Sequence, residues 1–460
     1  MHLHSRVFSC ILCAGELTLK NHSLITALKN LRGNPRGCVY AEPLWGIPFN
    51  LYAPYISVYM LAIGLSDKQI GLIASIGAGF QVILALLSGV VTDKLGRRRT
   101  TLIFDILAWS VPALISAIAQ NFWYFLVAVI INSIWRITNN SWNCLLVEDA
   151  EPEQLMDIYS WIYIANLVVG FVAPLAGLLI VAFTLVPTVR GLYIFAAIMF
   201  TVKAIVTYRM TEETAQGRVR MRETRHQNVF AILGEYRHVL RELLQSPQTL
   251  YAAGIMLVFG ISSLISGNFW AIIVTQKLHV PDQALSIFPF VKSAVMILFL
   301  FFVLPRISAM HFRIPMIVGF LGLVVSQVVL ITAPPLSEGL LLFSQMVLIT
   351  APPLGYGLLL FSVFLEACSI ATVSPLIDRM MVLNVEPKER ARILSILYVG
   401  TILLTSPFGW IAGVLSTLNK DLPFMLNIVL FVAGVLLAYL AGQASLRALA
   451  AQTPPEADAA

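Results

Sequence analysis

Three charged residues, Arg136, Lys292 and Glu366, stand inside apolar segments of this sequence. A charge far from water is costly unless it meets an opposite charge or lines an aqueous cavity. A buried carboxyl group can exchange a proton, so we expect Glu366 to carry protons and all three residues to serve substrate binding or proton coupling. The alternative is a permanent ion pair between Glu366 and either Lys292 or Arg136. Asp105 is expected to be structural, and Lys203 is expected to extend towards the inner membrane surface.

Asparagine residues accompany Arg136 on one face of the same helix. Asn132, Arg136, Asn139 and Asn143 recur at helical spacing, and Asn140 lies beside them. This stripe predicts a helix face turned towards a cavity, and a buried structural ion pair of Arg136 is the alternative. Other residues expected to line the same pocket are Asn50, Tyr55, Tyr163, Asn268 and Trp270.

The segments that carry these residues are predicted to be membrane helices. The chain has 460 residues, of which 58% are hydrophobic and 12% are charged. Soluble domains carry about 25% charged residues. Apolar runs of about 20 residues recur along the chain, and each can cross a bilayer as a helix. We therefore predict an all-α integral membrane protein with about 12 transmembrane helices, since lipid offers the backbone no hydrogen-bond partners.

The formal net charge of +6 follows the predicted topology. Most Lys and Arg residues fall in the loops that are predicted to be cytoplasmic. The exceptions are the basic residues within helices and four residues in the outer loops, Lys68, Arg190, Lys277 and Lys420. The positive-inside rule then places both termini in the cytoplasm. We expect a multi-pass protein of the plasma membrane, and the basic excess does not predict a nucleic-acid site.

Several classes of function lack their sequence signals. The five cysteines do not predict a disulfide framework, and the Cys10-x-x-Cys13 pair has no second ligand pair. The sequence holds no Gly-x-x-x-x-Gly-Lys nucleotide-binding loop and no constellation for nucleophilic catalysis. We therefore expect no enzyme activity, no metal and no cofactor, with the proton as coupling ion.

The stretch Gly89–Arg99 joins the second and third apolar segments. Its Gly89, Asp93, Gly96 and the basic residues Arg97 and Arg98 resemble the cytoplasmic loop between helices 2 and 3 of major facilitator superfamily transporters. The resemblance implies two pseudo-symmetric six-helix bundles with the substrate site between them. It also implies a gating latch on the cytoplasmic side.

The residues of this loop have expected roles in the latch. Gly89 and Gly96 would allow close approach and a tight turn. Asp93 would pair with Arg97 or Arg98, or face the N-terminus of a neighbouring helix at Pro387.

The fourth and tenth helices resemble proton-coupled members of the superfamily in part. Drug exporters bear an Arg followed by a Gln-Gly pair on helix 4. Arg136 matches the Arg, whereas Asn139 and Asn140 stand in place of the pair. Some sugar permeases place a coupling carboxylate on helix 10, where Glu366 lies.

The fifth helix resembles the Gly-x-x-x-Gly-Pro-x-x-Gly-Gly motif of antiporters. Gly170, Pro174 and Gly177 match this motif, whereas Ala173 and Leu178 depart from it. Small residues allow helices to pack closely and slide, although static interfaces contain them too. This resemblance favours export over uptake.

The sequence predicts two helical bundles and three polar segments. The predicted parts are a cytoplasmic leader (1–42), an N-terminal six-helix bundle (43–208), a central cytoplasmic loop (209–247), a C-terminal six-helix bundle (248–445) and a cytoplasmic tail (446–460). The halves are weakly similar, since Glu151-Pro152 and Glu386-Pro387 open corresponding helices.

A tandem duplication interrupts the second bundle. The copies are Ser326–Phe343 and Ser344–Phe361. They differ at only three corresponding positions, one of which holds Val328 in the first copy and Met346 in the second. Leu336–Thr350 is too short to span a bilayer. We expect an excursion that leaves and returns on the outer face, so that the later helices keep their orientation.

These observations predict a proton-coupled secondary active transporter of a small organic solute that works by alternating access. Efflux by proton antiport is favoured. The alternatives are proton symport for uptake of a small anion or sugar-like solute, and a non-transporting membrane receptor on the same fold. The expected partners are the lipid bilayer, the solute and protons, and the protein is expected to be a monomer.

Overall fold

The computed structural model describes residues 31–151, 154–224, 247–303, 306, 312–335, 354–383 and 390–452. Helices dominate this part of the chain. In order they are α1 (33–62), α2 (Asp67–Leu95), α3 (Arg97–Ala117), α4 (122–147), α5 (155–183), α6 (Leu185–Met210), α7 (Pro247–Gln276), α8 (Asp282–Phe302), α9 (Arg313–Thr332), α10 (Leu354–Leu383), α11 (Arg390–Leu418) and α12 (Leu422–Gln452). A short helix, Ala215–Glu223, lies between α6 and α7.

Ten of these helices contain a segment long and apolar enough to cross a membrane. The other two, α1 and α4, are interrupted. In α1 a 3-10 turn at Ala53–Tyr55 contains Pro54, which has no N–H for the helical ladder. In α4 the helix breaks at Ser133, whose hydroxyl donates to the carbonyls of Gly77 and Val129. The all-α membrane fold predicted from the sequence is confirmed.

Two helix boundaries differ from the sequence expectation. The first helix begins at Gly33 rather than at 43, and both Pro43 and Pro48 lie inside it. The last ten residues of the predicted 1–42 leader, 33–42, are therefore helical. The predicted loop after α2 is also shorter than expected, because α2 continues to Leu95 and only Gly96 separates it from α3.

The helices alternate in direction, so the bundle has two ends. The Asp67 end holds the start of α2, where Ser66 and Gln69 form a capping box. The Arg97 end holds the start of α3. By the charge distribution described above, the Arg97 end is predicted to be cytoplasmic.

The two halves pack together through α2 against α11 and α5 against α8. Hydrogen bonds that join them cluster towards the Asp67 end. The Asp67 carboxylate accepts hydrogen bonds from Ser416 Oγ and Lys420 Nζ, each at 2.5 Å. The backbone N–H of Trp410 donates to Ser75 Oγ at 2.6 Å. The halves are thus closed against each other at this end.

The helices that flank the duplication run antiparallel. Ser326 of α9 and Ser362 of α10 exchange hydrogen bonds between hydroxyls and carbonyls, while Gly319 of α9 faces Val373 further along α10. The end of α9 and the start of α10 therefore lie at the same end of the bundle. The excursion itself, 336–353, falls outside the described residues.

Several sequence expectations fall on residues that the structure does not describe. They are the leader before residue 31 with Cys10 and Cys13, the amphipathic segment 230–244, the Glu386-Pro387 helix start and most of the 304–313 loop. These stay predictions.

Candidate functional site

A cavity of about 340 Å³ lies between the two halves. The first half contributes Ala53, Pro54 and Ser57, which belong to the interrupted part of α1. Helices α7, α8, α9, α10 and α12 form the rest of the wall. The interruption of α1 lies beside the cavity, and the α1 residues in the wall are small. This volume suits a small organic solute.

An ion pair stands in the cavity wall. Lys292 Nζ of α8 donates to Glu366 Oε1 of α10 at 2.9 Å. The Lys292 side chain is 36% exposed and that of Glu366 is 13% exposed, and both residues line the cavity. Of the two ion pairs considered from the sequence, the structure contains the one with Lys292.

Hydrogen-bonding groups without partners surround this pair. Gln327 Oε1 and Ser262 Oγ are buried and make no hydrogen bond to the described residues, and the same holds for Trp270 Nε1. All three side chains line the cavity. Buried polar atoms in native proteins normally have partners. Three hydrogen-bonding groups without partners among the described residues therefore lie in the side chains that form the cavity wall.

Ser262 and Gln327 are not among the lining residues predicted from the sequence. A usable signal was present on α7, where Ser262 and Ser266 are one helical turn apart and both line the cavity. Gln327 gave no such signal, because its burial depends on the packing of α9 against α10 and α12.

Arg136 does not face this cavity. Its Nε donates to Gln81 Oε1 of α2 at 3.0 Å, and its guanidinium stacks 4.0 Å from the Trp135 ring centroid. The alternative ion pair between Arg136 and Glu366 is not formed, and Glu366 pairs with Lys292 instead. Arg136 instead ties α4 to α2.

The asparagines of the predicted α4 stripe also serve local contacts. Asn132 donates to the Ala108 carbonyl at 2.8 Å, and Asn140 donates to Thr92 Oγ1 at 3.1 Å. Asn143 donates to the carbonyl of Asn139, which is exposed. Asn132 lines a second cavity of about 200 Å³, whose wall comes mostly from the first half, and the other three asparagines lie outside both cavities.

The other predicted lining residues divide between the two cavities and the protein interior. Trp270 lines the large cavity and Asn268 the smaller one, where the Asn268 carbonyl accepts from Ser57 Oγ at 2.6 Å. Asn50 donates to Gly46 within α1, and Tyr55 is fully buried. Tyr163 is 37% exposed and lies in neither cavity.

A dense ionic network holds the Arg97 end of the first half. Arg97 is 4% exposed and pairs with Asp93 at 2.9 Å and Glu148 at 3.0 Å. Glu213 accepts from the backbone N–H groups of Arg97 and Arg98 at 2.8 and 3.1 Å, so it caps the N-terminus of α3. The network therefore binds α2, α3, α4 and the segment after α6 together.

The two glycines of the motif differ in their surroundings. Gly96 has a φ of 85°, and an added Cβ would meet Glu213 and Met221. Gly89 lies exposed on α2 with no atom near its Cβ position. The expected tight turn is present at Gly96, whereas the expected close approach at Gly89 is not.

Gly170 and Gly177 of α5 face α8 of the other half. A Cβ at Gly170 would collide with Ser293, and one at Gly177 would collide with Gln283 and Ser286. Pro174 opens the second part of α5, after a 3-10 turn at Gly170–Val172. These residues permit the close packing of the two halves.

A second buried ion pair lies within the first half. Lys203 Nζ of α6 donates to Asp105 Oδ2 of α3 at 2.6 Å, and these side chains are 7% and 4% exposed. The expected extension of Lys203 towards the membrane surface is therefore wrong. Glu42 of α1 is 9% exposed and interacts electrostatically with both residues.

Comparison with known proteins identifies the family and the fold. The sequence profile described as Major Facilitator Superfamily matches residues 45–356. No curated protein matches the chain.

Solved structures of transporters share its architecture. The nucleoside transporter NupG aligns with a TM-score of 0.65 at 14% identity, over 89% of this chain and 98% of that chain. A POT family transporter in complex with a thioalcohol-conjugated peptide gives 0.63 at 12% identity, over 92% and 99%. The inward-open xylose transporter XylE from E. coli gives 0.59 at 14%, over 88% and 94%.

Proposed function

The chain belongs to the Major Facilitator Superfamily of secondary transporters, and on this premise we propose that it exports a small polar organic solute in exchange for protons. The observation that carries the proposal is the Lys292–Glu366 ion pair in the wall of the cavity. A solute group that binds the ionised Glu366 carboxylate beside Lys292 competes with a proton for the same oxygen atoms. Protonation of Glu366 on one side of the membrane therefore releases the solute, and loss of the proton on the other side restores the Lys292–Glu366 pair for the next solute molecule.

Alternating access suits the packing of the halves. They meet at the Asp67 end, which the charge distribution predicts to be external, so this conformation corresponds to an inward-facing state. The small residues Gly170 and Gly177 at the α5–α8 contact allow the halves to rock against each other.

Uptake of a sugar-like solute by proton symport is a second candidate. The unpartnered Gln327 Oε1, Ser262 Oγ and Trp270 Nε1 favour it, because hydroxyl groups can both donate and accept hydrogen bonds. Antiport remains our first proposal, because the α5 glycines match the antiporter motif and the single Glu366 carboxylate can bind either a solute group or a proton.

The experiment begins with a ligand screen. A thermal-stability screen of polar metabolites on the purified protein identifies a stabilising solute. That solute is then added outside proteoliposomes that contain a pH-sensitive dye. Antiport makes the lumen alkaline as solute enters, whereas symport makes it acidic.

The variants Glu366→Gln and Glu223→Gln separate coupling from general damage. Glu366→Gln is expected to abolish the pH change, and Glu223→Gln, an exposed site at the Arg97 end, is expected to retain it. A solute that stabilises the protein but never crosses the membrane would favour the receptor alternative. An unchanged proton signal in Glu366→Gln would refute the assigned role of Glu366.

A further inference from the structure

Glu42 is a carboxyl group inside the membrane bundle. Because α1 begins at Gly33, Glu42 lies within the helix rather than in a cytoplasmic leader. It is 9% exposed, and neither cavity includes it. The proposed transport cycle assigns it no role.

The positive charge nearest to Glu42 is already neutralised. Lys203 donates to Asp105 Oδ2 at 2.6 Å, and Thr138 Oγ1 donates to Asp105 Oδ1 at 2.7 Å. Both Asp105 oxygens thus accept hydrogen bonds, one of them from the Lys203 ammonium group. Asp105 and Lys203 therefore form a neutral, satisfied pair.

Glu42 has weak hydrogen bonding of its own. Asn166 Nδ2 of α5 lies 3.5 Å from its Oε1, and no described cation reaches the ion-pair distance of 4.0 Å from its carboxylate. The charged and titratable groups that act on it from the packed helices are Lys203 of α6, Asp105 of α3 and Cys38 of its own helix.

An ionised Glu42 would leave this cluster with one uncompensated negative charge. Taking such a charge out of water costs several kcal/mol, and the nearby Asp105 carboxylate adds repulsion. Binding one proton from water to a Glu42 oxygen removes the charge and leaves the Asp105–Lys203 pair intact. We propose that Glu42 is a proton-binding site, protonated in this conformation and distinct from Glu366.

The position of Glu42 connects it with the cavity. The same helix α1 carries Ala53 and Pro54, in its 3-10 turn, and Ser57, just after the turn, in the cavity wall. Loss of the proton would place repulsion between α1 and Asp105 and would favour movement of α1. This coupling role rests on the proposed transport function, whereas proton binding itself does not.

The test uses protons as the only ligand. The full chain in lipid nanodiscs is titrated while infrared spectroscopy records the C=O stretching band of protonated carboxyl groups. Wild type, Glu42→Gln and Glu366→Gln are compared at about pH 7, where ordinary carboxyl groups are ionised. We expect the band in wild type, its loss in Glu42→Gln and its retention in Glu366→Gln.

Other outcomes contradict the proposal. A wild type without the band, or a Glu42→Gln variant that keeps it in full, would overturn it. If Glu42→Gln does not fold, Glu42→Asp serves instead, since it must shift the band frequency, and an unshifted band would count against Glu42. Because no solute is involved, this result is independent of whether transport is proton-coupled.

Discussion

The two halves of the molecule each enclose an ion pair, but in different surroundings. In the first half Lys203 and Asp105 are 7% and 4% exposed among packed helices. In the second half Lys292 is 36% exposed and lines the cavity with Glu366. We expect the same chemistry to serve two purposes. A pair sealed in the bundle supports the structure, whereas a pair that opens on a cavity can exchange partners.

The most strongly affected variant is expected to be Lys203→Met. It leaves the buried Asp105 carboxylate without its cation, which costs about 3–5 kcal/mol. The matched variant Lys292→Met costs less, because the Lys292 side chain is partly solvated and Glu366 is near the cavity. Thermal unfolding in detergent measures both. Equal losses of stability in the two variants would remove the distinction between the halves.

The contact between the halves provides the second prediction. Gly177→Ala places a Cβ against Gln283 and Ser286. It is expected to destabilise the conformation in which the halves are closed at the Asp67 end by about 1–3 kcal/mol. Gly191→Ala is the matched control, since nothing lies near its Cβ position. Spin labels at Gln120 and Asn419, in a cysteine-free background, should move apart only in Gly177→Ala. No change in their distance distribution would argue against this contact.

The network at the Arg97 end gives a smaller effect. Glu213→Gln weakens the cap on α3 and should lower stability by about 1 kcal/mol. Glu223→Gln is the control, because the Glu223 side chain is 52% exposed, and it should change stability by less than about 0.5 kcal/mol. A chemical-denaturation series on both variants checks the order. A larger loss in Glu223→Gln would contradict the role of Glu213.

The smallest expected change is opposite in sign. Gly89→Ala replaces an exposed glycine within a helix and should stabilise α2 by about 0.5 kcal/mol. Gly96→Ala is the contrast, because its φ of 85° disfavours any side chain. A loss of stability in Gly89→Ala, measured by thermal unfolding, would indicate an unseen contact at this glycine.

The sequence was sufficient for the fold but not for every site residue. Long apolar runs and the charge distribution predicted the helices, because membrane insertion depends on local composition. Glu42 was missed because Glu followed by Pro resembles a helix start, although Pro43 lies inside α1. Arg136 was placed in the cavity because helical spacing identifies a face and not what the face meets. Its partner Gln81 comes from another helix.

Whether the Lys292–Glu366 pair belongs to the solute site can be determined from binding affinity. Affinity for the solute from the stability screen is measured by calorimetry on wild type, Lys292→Met and Glu223→Gln. We predict that Lys292→Met binds at least about tenfold more weakly, a change of about 1.4 kcal/mol, while Glu223→Gln binds like wild type. Wild-type affinity in Lys292→Met would contradict the claim.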